Sequence, residues 1–179
     1  MTFQYAFDTD GWVEFAFTYP FSYEDNEALI REFESKYSKH DEIYFHQEVM
    51  TRTSEHRKVH LLTLTARNNV NSKQREDGVE GIFGEGPRPY KIDKPRVVVS
   101  ARVHPGESPA SHCLEGVLRF LTNEKDYRSY LLRKHFHFMV VPMLNPEGVH
   151  EGMFRNDMVG ENLNRMYLHC DPKKQYTIP

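Results

Sequence analysis

The chain is sparing with several features that would otherwise decide its class. It carries 2 cysteines, Cys113 and Cys170, in 179 residues. That is too few for a disulfide framework and fits a reducing compartment. Cys113 lies in an apolar run and is expected on a buried helix face. No apolar stretch reaches the ~20 residues that span a bilayer, and the first residues lack the basic start and continuous apolar core of a secretory leader. No membrane partner is expected. Positive charge is not in excess either: 23 Lys and Arg stand against 26 Asp and Glu, a formal net charge of -3 with a pI near 6.4. This argues against a nucleic-acid partner. No internal repeat or low-complexity tract occurs, and Gly84-Glu85-Gly86 is too short a glycine pattern to cradle a phosphate.

The length suffices for one well-buried domain. β-Branched, largely apolar segments at Ile43 to Met50, Val59 to Ala66, Arg96 to Val103 and Phe136 to Pro142 read as strands. Phe3 to Phe7 and Trp12 to Tyr19 look like two more, the second with Phe15, Phe17 and Tyr19 on one face. Ser22 to Asp25 makes a capping-box start for a helix whose apolar stripe is Leu29, Ile30, Phe33 and Tyr37. Arg67 to Lys94, polar and punctuated by glycine and proline, reads as a long surface loop.

His104-Pro105-Gly106-Glu107 follows the third strand. Ser108 is placed to cap a helix, Pro109 suits its first position, and Cys113, Leu114, Val117, Leu118 and Leu121 recur at helical spacing. The motif therefore occupies a turn beyond the carboxyl end of a strand, where open α/β sheets bind ligands. A histidine and a carboxylate three residues apart can hold one metal ion from a single turn. Zinc accepts such donors, and a catalytic site takes three from the protein while keeping a position for water. Alone, the pair reads as well as a loop histidine beside a solvated glutamate.

Two further motifs accompany it. The fourth strand runs into Asn145-Pro146-Glu147-Gly148, and a polar loop with Arg155 leads to Asn162-Leu163-Asn164-Arg165. This order resembles the zinc metallocarboxypeptidases of the M14 type, and within them the cytosolic carboxypeptidases. Tyr19 to Asp25 is similar to the aromatic segment at the entrance of that subfamily's catalytic domain. The resemblance implies an α/β fold: the N-terminal half of a carboxypeptidase-like mixed β-sheet flanked by helices, preceded by a short β segment. Residues 1–20 would be the edge of an N-terminal β-rich domain, and 21–179 part of the catalytic domain.

It also implies roles. His104 and Glu107 match two zinc ligands, Arg155 the arginine that steadies the oxyanion, and Asn164 with Arg165 the pair that clasps a terminal carboxylate. The bland readings stay open: Arg155 and Arg165 as solvated or salt-bridged arginines, Asn164 as a loop residue bonding its own backbone. The implied activity is hydrolysis of C-terminal or side-chain glutamates from proteins such as tubulin by zinc-activated water, in the cytoplasm and near the cytoskeleton. The family's third zinc ligand, a histidine, and its general-base glutamate lie well beyond the LNR box, and nothing from Met166 to Pro179 matches them. The chain alone is thus expected to be incomplete and inactive. The alternative is a noncatalytic remnant that binds metal weakly or serves in protein interaction. Other histidines fit the metal poorly: His169 with Cys170 are adjacent and would not aim at one ion, His135 and His137 would share a strand face at its far end, and His112 and His150 have no telling spacing.

Overall fold

The computed structural model describes residues 2–169. From Tyr23 onward the chain builds a mixed four-stranded sheet with helices against it. Helix α1 (Tyr23–Tyr37) begins with the expected capping box: Asp25 N donates to Ser22 Oγ at 3.0 Å, and Ser22 N donates back to Asp25 Oδ2 at 2.8 Å. Its stripe of Leu29, Ile30, Phe33 and Tyr37 is buried.

Strands β1 (Ile43–Arg52) and β2 (Lys58–Ala66) pair antiparallel. β5 (Arg96–Ser100), α2 (Pro109–Leu121), α3 (Tyr127–His135) and β6 (His137–Val141) then form a parallel crossover that inserts β6 between β2 and β5. The order across the sheet is β1-β2-β6-β5. One face, carrying Ile43, Phe45, Leu62, Leu64, Phe138 and Val140, packs on α1 and on Leu114, Leu118 and Leu121 of α2. Burial of such side chains stabilises by roughly 1.5–3 kcal/mol each and is the main force holding the domain.

Several expectations require correction. The segments Phe3 to Phe7 and Trp12 to Tyr19 form no strand. Their alternation is real, and the Phe3 and Tyr5 rings lie 5.1 and 5.3 Å from Phe15. Yet no neighbouring strand pairs with either, and a backbone without a ladder partner bonds water instead. The Arg67–Lys94 excursion is not plain loop: β3 (Val70–Arg75) and β4 (Tyr90–Ile92) pair as a second, two-stranded sheet. Cys113 is exposed rather than buried, because the helix phase buries Ser111, Leu114, Leu118 and Leu121. His135 closes α3 while His137 opens β6, so they do not share a strand face.

The second face of the sheet is mixed: Val59, Leu61 and Val141 form a small buried apolar cluster with Phe83 and Met139, and polar groups lie beside it. Glu48, His46 and Tyr44 on β1 lie beneath the excursion, and Glu48 is held 3.2 Å from Arg88 Nε. Burial pushes the Glu48 carboxyl up to about 7. Buried His137 has no partner for either ring nitrogen, and burial pulls it down to about 4.

Candidate functional site

β5 and β6 run parallel, so both end on the same rim, and the two turns that follow them meet there. The chain leaves β5 through Ala101 and Arg102, whose N–H groups and carbonyls tie to the end of β6: Ala101 N to Val141 O at 3.1 Å, and Leu144 N to Ala101 O at 2.9 Å. Arg102 adopts φ +57, costly for a residue with a Cβ. The conformation turns its buried guanidinium inward, where it donates to Pro105 O (2.7 and 3.1 Å), Phe21 O (2.9 Å) and Ser111 Oγ (2.8 Å). Desolvation lowers the group to about 10, leaving it charged at neutral pH. It is the fastener of the turn that carries His104.

Two glycines explain why the motifs read as they do. Gly106 N donates to Phe154 O at 2.7 Å, and a Cβ there would sit 2.6 Å from that oxygen. A Cβ on Gly148 would lie 2.6 Å from Pro105 Cγ. The HPGE turn is thus wedged between α4 (Pro146–His150) and the loop that bears Arg155, with only hydrogen atoms to spare. α4 is fixed in turn by Asn145, whose Oδ1 accepts from Gly148 N at 3.0 Å, and by buried Glu147, 3.5 Å from Arg57 Nη1 in the β1–β2 turn.

His104 is buried and Glu107 half-exposed, and His104 Nδ1 faces Glu107 Oε1 at 2.9 Å. On the other side, His104 Nε2 lies 3.1 Å from Asn162 Oδ1. That same oxygen accepts from Asn164 N at 3.1 Å, which fixes the amide with its oxygen toward the ring. Nε2 is therefore the nitrogen placed to donate to that amide oxygen, and Nδ1 is the one that stands beside the carboxylate, where nitrogen and oxygen could each offer a lone pair to a cation. Two acceptors turned toward one point suit a cation, and an amide oxygen behind the ring is the usual support of a metal-bound histidine. The pair fits zinc at two corners. Among the described residues no group of three or more His, Cys, Asp or Glu side chains converges.

The structure gathers the other expected residues around this pair to differing degrees. Arg155 Nη1 stands 3.8 Å from Glu107 Oε1 with its side chain 45% exposed, so it borders the pair with donors in reserve. Asn164 and Arg165 are exposed on a single 3₁₀ turn (Leu163–Arg165), anchored by buried Leu163 and capped by Asn162. Among the described residues Arg165 Nη1 bonds only Asn164 O, at 3.1 Å. Asn162 joins ring and turn, a role that its sequence position in the NLNR box hinted at but did not define. The remaining histidines stand elsewhere: His150 is 3.5 Å from Glu24, His112 meets the Phe21 ring edge-on, and exposed His169 bonds only locally through its backbone. Cys170 lies outside the described residues.

Residues 27–171 match the peptidase M14 family, described as zinc carboxypeptidase. The chain belongs to that family. Among curated relatives, the mouse cytosolic carboxypeptidase-like protein 5 is 40% identical over 168 residues, covering 88% of this chain and 19% of the relative. Cytosolic carboxypeptidase 6 of Caenorhabditis elegans is 34% identical over 168 residues, covering 93% of this chain and 31% of that one. The fold is similar to the crystal structure of a metallo-carboxypeptidase from Burkholderia cenocepacia, with TM-score 0.67 and 26% identity over 89% of this chain and 36% of that one. The chain thus spans about a fifth of the length of its mouse relative. The expected mixed sheet flanked by helices is the family's fold. No helix among the described residues is long and apolar enough to cross a membrane.

Proposed function

We propose that the chain contributes half of a zinc carboxypeptidase site that removes glutamates from the C-termini or side-chain tails of cytoplasmic proteins such as tubulin, near the cytoskeleton. The observation that carries the reading is the His104–Glu107 pair, a ring nitrogen and a carboxylate oxygen 2.9 Å apart with the ring held by Asn162. Zinc held by them, with a third ligand from outside the described residues, supplies the Lewis acidity that activates a water and polarises a carbonyl. Arg155, cationic and half-exposed at the edge of the pair, is suited to receive the negative charge that develops on the scissile carbonyl oxygen. Asn164 and Arg165 face outward from a fixed turn. The Arg165 guanidinium, free of any side-chain partner among the described residues, is shaped to clasp both oxygens of a terminal carboxylate. That clasp restricts cleavage to chain ends. We also read residues 1–20 as the margin of a preceding β-rich unit and 21–179 as catalytic domain.

The test is release of glutamate from a peptide ending in glutamate, using the product of the full transcript with zinc supplied. Release from the free C-terminus is expected, with none from the amidated peptide. His104→Ala should abolish it, and Arg165→Ala should raise KM more than it lowers kcat. Undiminished release by His104→Ala, or equal cleavage of the amidated peptide, refutes the reading.

A further inference from the structure

The opposite flank of the sheet has a feature that the hydrolytic site does not use. Among the described residues β1 is an outer strand, with β2 on one side and, on the other, a single bridge at its far end. Arg67 N donates to Glu42 O at 3.0 Å, which sets the alternation of the ladder. Tyr44, His46 and Glu48 turn their main-chain groups to β2, while Phe45 and Gln47 turn theirs to the open side. Outer strands are normally blunted by proline, lysine or a bulge. Ile43 to Glu48 contains none of these, and the register is broken only beyond Val49.

A cleft of about 510 Å³ lies along this edge, lined by every residue from Tyr44 to Val49. Its far end is already closed by strand-like pairing: Val49 bridges Glu85 antiparallel, and Phe83 N donates to Met50 O at 2.8 Å. The two walls differ. On the excursion side, Arg75 lies over the Tyr90 ring at 4.4 Å and Arg67 over the Tyr44 ring at 5.8 Å. Their remaining bonds go to the carbonyls of Arg88 and His40, and neither has a carboxylate partner among the described residues. The acidic groups nearby are committed: Glu85 is held in a fork by Arg52 at 2.5 and 2.8 Å, and Glu48 lies under the floor with Arg88. The opposite wall, from α1, carries Glu34 and Ser38.

We propose that this edge is a second binding site, where an extended polypeptide with acidic side chains at alternate positions adds as a further strand. Its main chain would pair with Phe45 and Gln47. Side chains on one face of the added strand would meet Arg67 and Arg75, and those on the other would meet Glu34 and Ser38. Period-two alternation makes the acid-on-one-face pattern the specificity element. The site lies away from His104, so occupancy needs neither zinc nor a free C-terminus.

The probe is a fluorescent, acetylated and amidated hexapeptide, Glu-Thr repeated three times, titrated into the 179-residue chain without zinc and followed by anisotropy. Binding is expected to weaken about tenfold in each of Arg67→Ala and Arg75→Ala and to persist in His104→Ala. Hydrogen exchange at the Phe45 and Gln47 amides should slow when the peptide is added. Of the two peptides N-methylated at odd or at even residues, the one that loses the N–H groups facing Phe45 and Gln47 should bind at least tenfold more weakly, with the protein unaltered. Equal binding of a Lys-Thr repeat, indifference to both arginine variants, or unprotected Phe45 and Gln47 amides would overturn the assignment. Failure of glutamate release with this binding intact would count against the hydrolytic reading alone.

Discussion

Gly106→Ala is the most direct probe of how the HPGE turn is held. The added Cβ would lie 2.6 Å from Phe154 O and 2.8 Å from Phe154 Cδ2. A carbon and a carbonyl oxygen normally approach no closer than about 3.3 Å, so the Phe154 main chain has to retreat by roughly that difference. The Gly106 N to Phe154 O bond, now 2.7 Å, would then stretch out of range. Loss of the bond costs about 1 kcal/mol and overpacking about 1–3 kcal/mol. For a domain of this size, each kcal/mol moves the melting temperature by about 2–4 °C, which predicts a fall of roughly 5–15 °C. Arg155 follows Phe154 directly, so the same retreat should draw it from Glu107. Gly116→Ala supplies the control, since its Cβ would meet nothing within 4 Å on α2. There a gain of about 0.5–1 kcal/mol is expected. Thermal unfolding by circular dichroism reads both. If Gly106→Ala melts within a degree of the parent chain, the wedged-turn argument is wrong.

Other perturbations address the site and the interior. Asn162→Ala removes the acceptor of His104 Nε2, and zinc affinity measured by competition with a chelating dye should fall about 10–100-fold; no change would deny Asn162 its orienting role. The 179-residue chain by itself, with two converging donors among its described residues, should retain less than stoichiometric zinc after dialysis, whereas tightly held zinc lost in His104→Ala would point to a third donor within the chain. His137 gives a pH signature. Its folded pKa is lowered from 6.5 to about 4, so below pH 6.5 the unfolded chain takes up a proton that the folded chain refuses. Stability present above pH 6.5 is therefore lost as pH falls toward 4, by at most about 3 kcal/mol. His137→Leu should flatten urea-unfolding free energies between pH 7 and 4.5, and an unchanged slope would refute the assignment.

What was legible in the sequence is what local patterning decides. The cap at Ser22 and the stripe through Tyr37 stand as read, because a helix start and its apolar face are set within a few residues. The four sheet strands stand within a few residues of their bounds for the same reason. α3 escaped notice because Tyr127–His135 has charged residues around its circumference and only Ser129 and Arg133 buried. β3 and β4 escaped because Val70–Arg75 is polar and nearly all exposed, its order resting on pairing with a segment 15 or more residues away. The aromatic N-terminal alternation misled for the converse reason: pattern without a partner makes no strand. At the site, motif order singled out His104 and Glu107, which face each other, and Arg155, which stands 3.8 Å from Glu107. It did not reveal that Asn162 orients the histidine, since that contact spans 58 residues.

Arg102 changes how a mutational survey of this chain should be interpreted. An arginine two residues before a histidine proposed as a zinc ligand invites a role in substrate recognition, and its replacement would depress any activity readout. All three of its guanidinium nitrogens donate within the protein, to two carbonyls and a hydroxyl. Lysine, with a single ammonium, cannot serve acceptors spread along a guanidinium fork. A scan scored on activity alone would therefore count Arg102 among residues that meet substrate. Scored also on abundance or melting, it would separate cleanly from Arg155 and Arg165, whose exposed side chains can be cut back with little effect on folding.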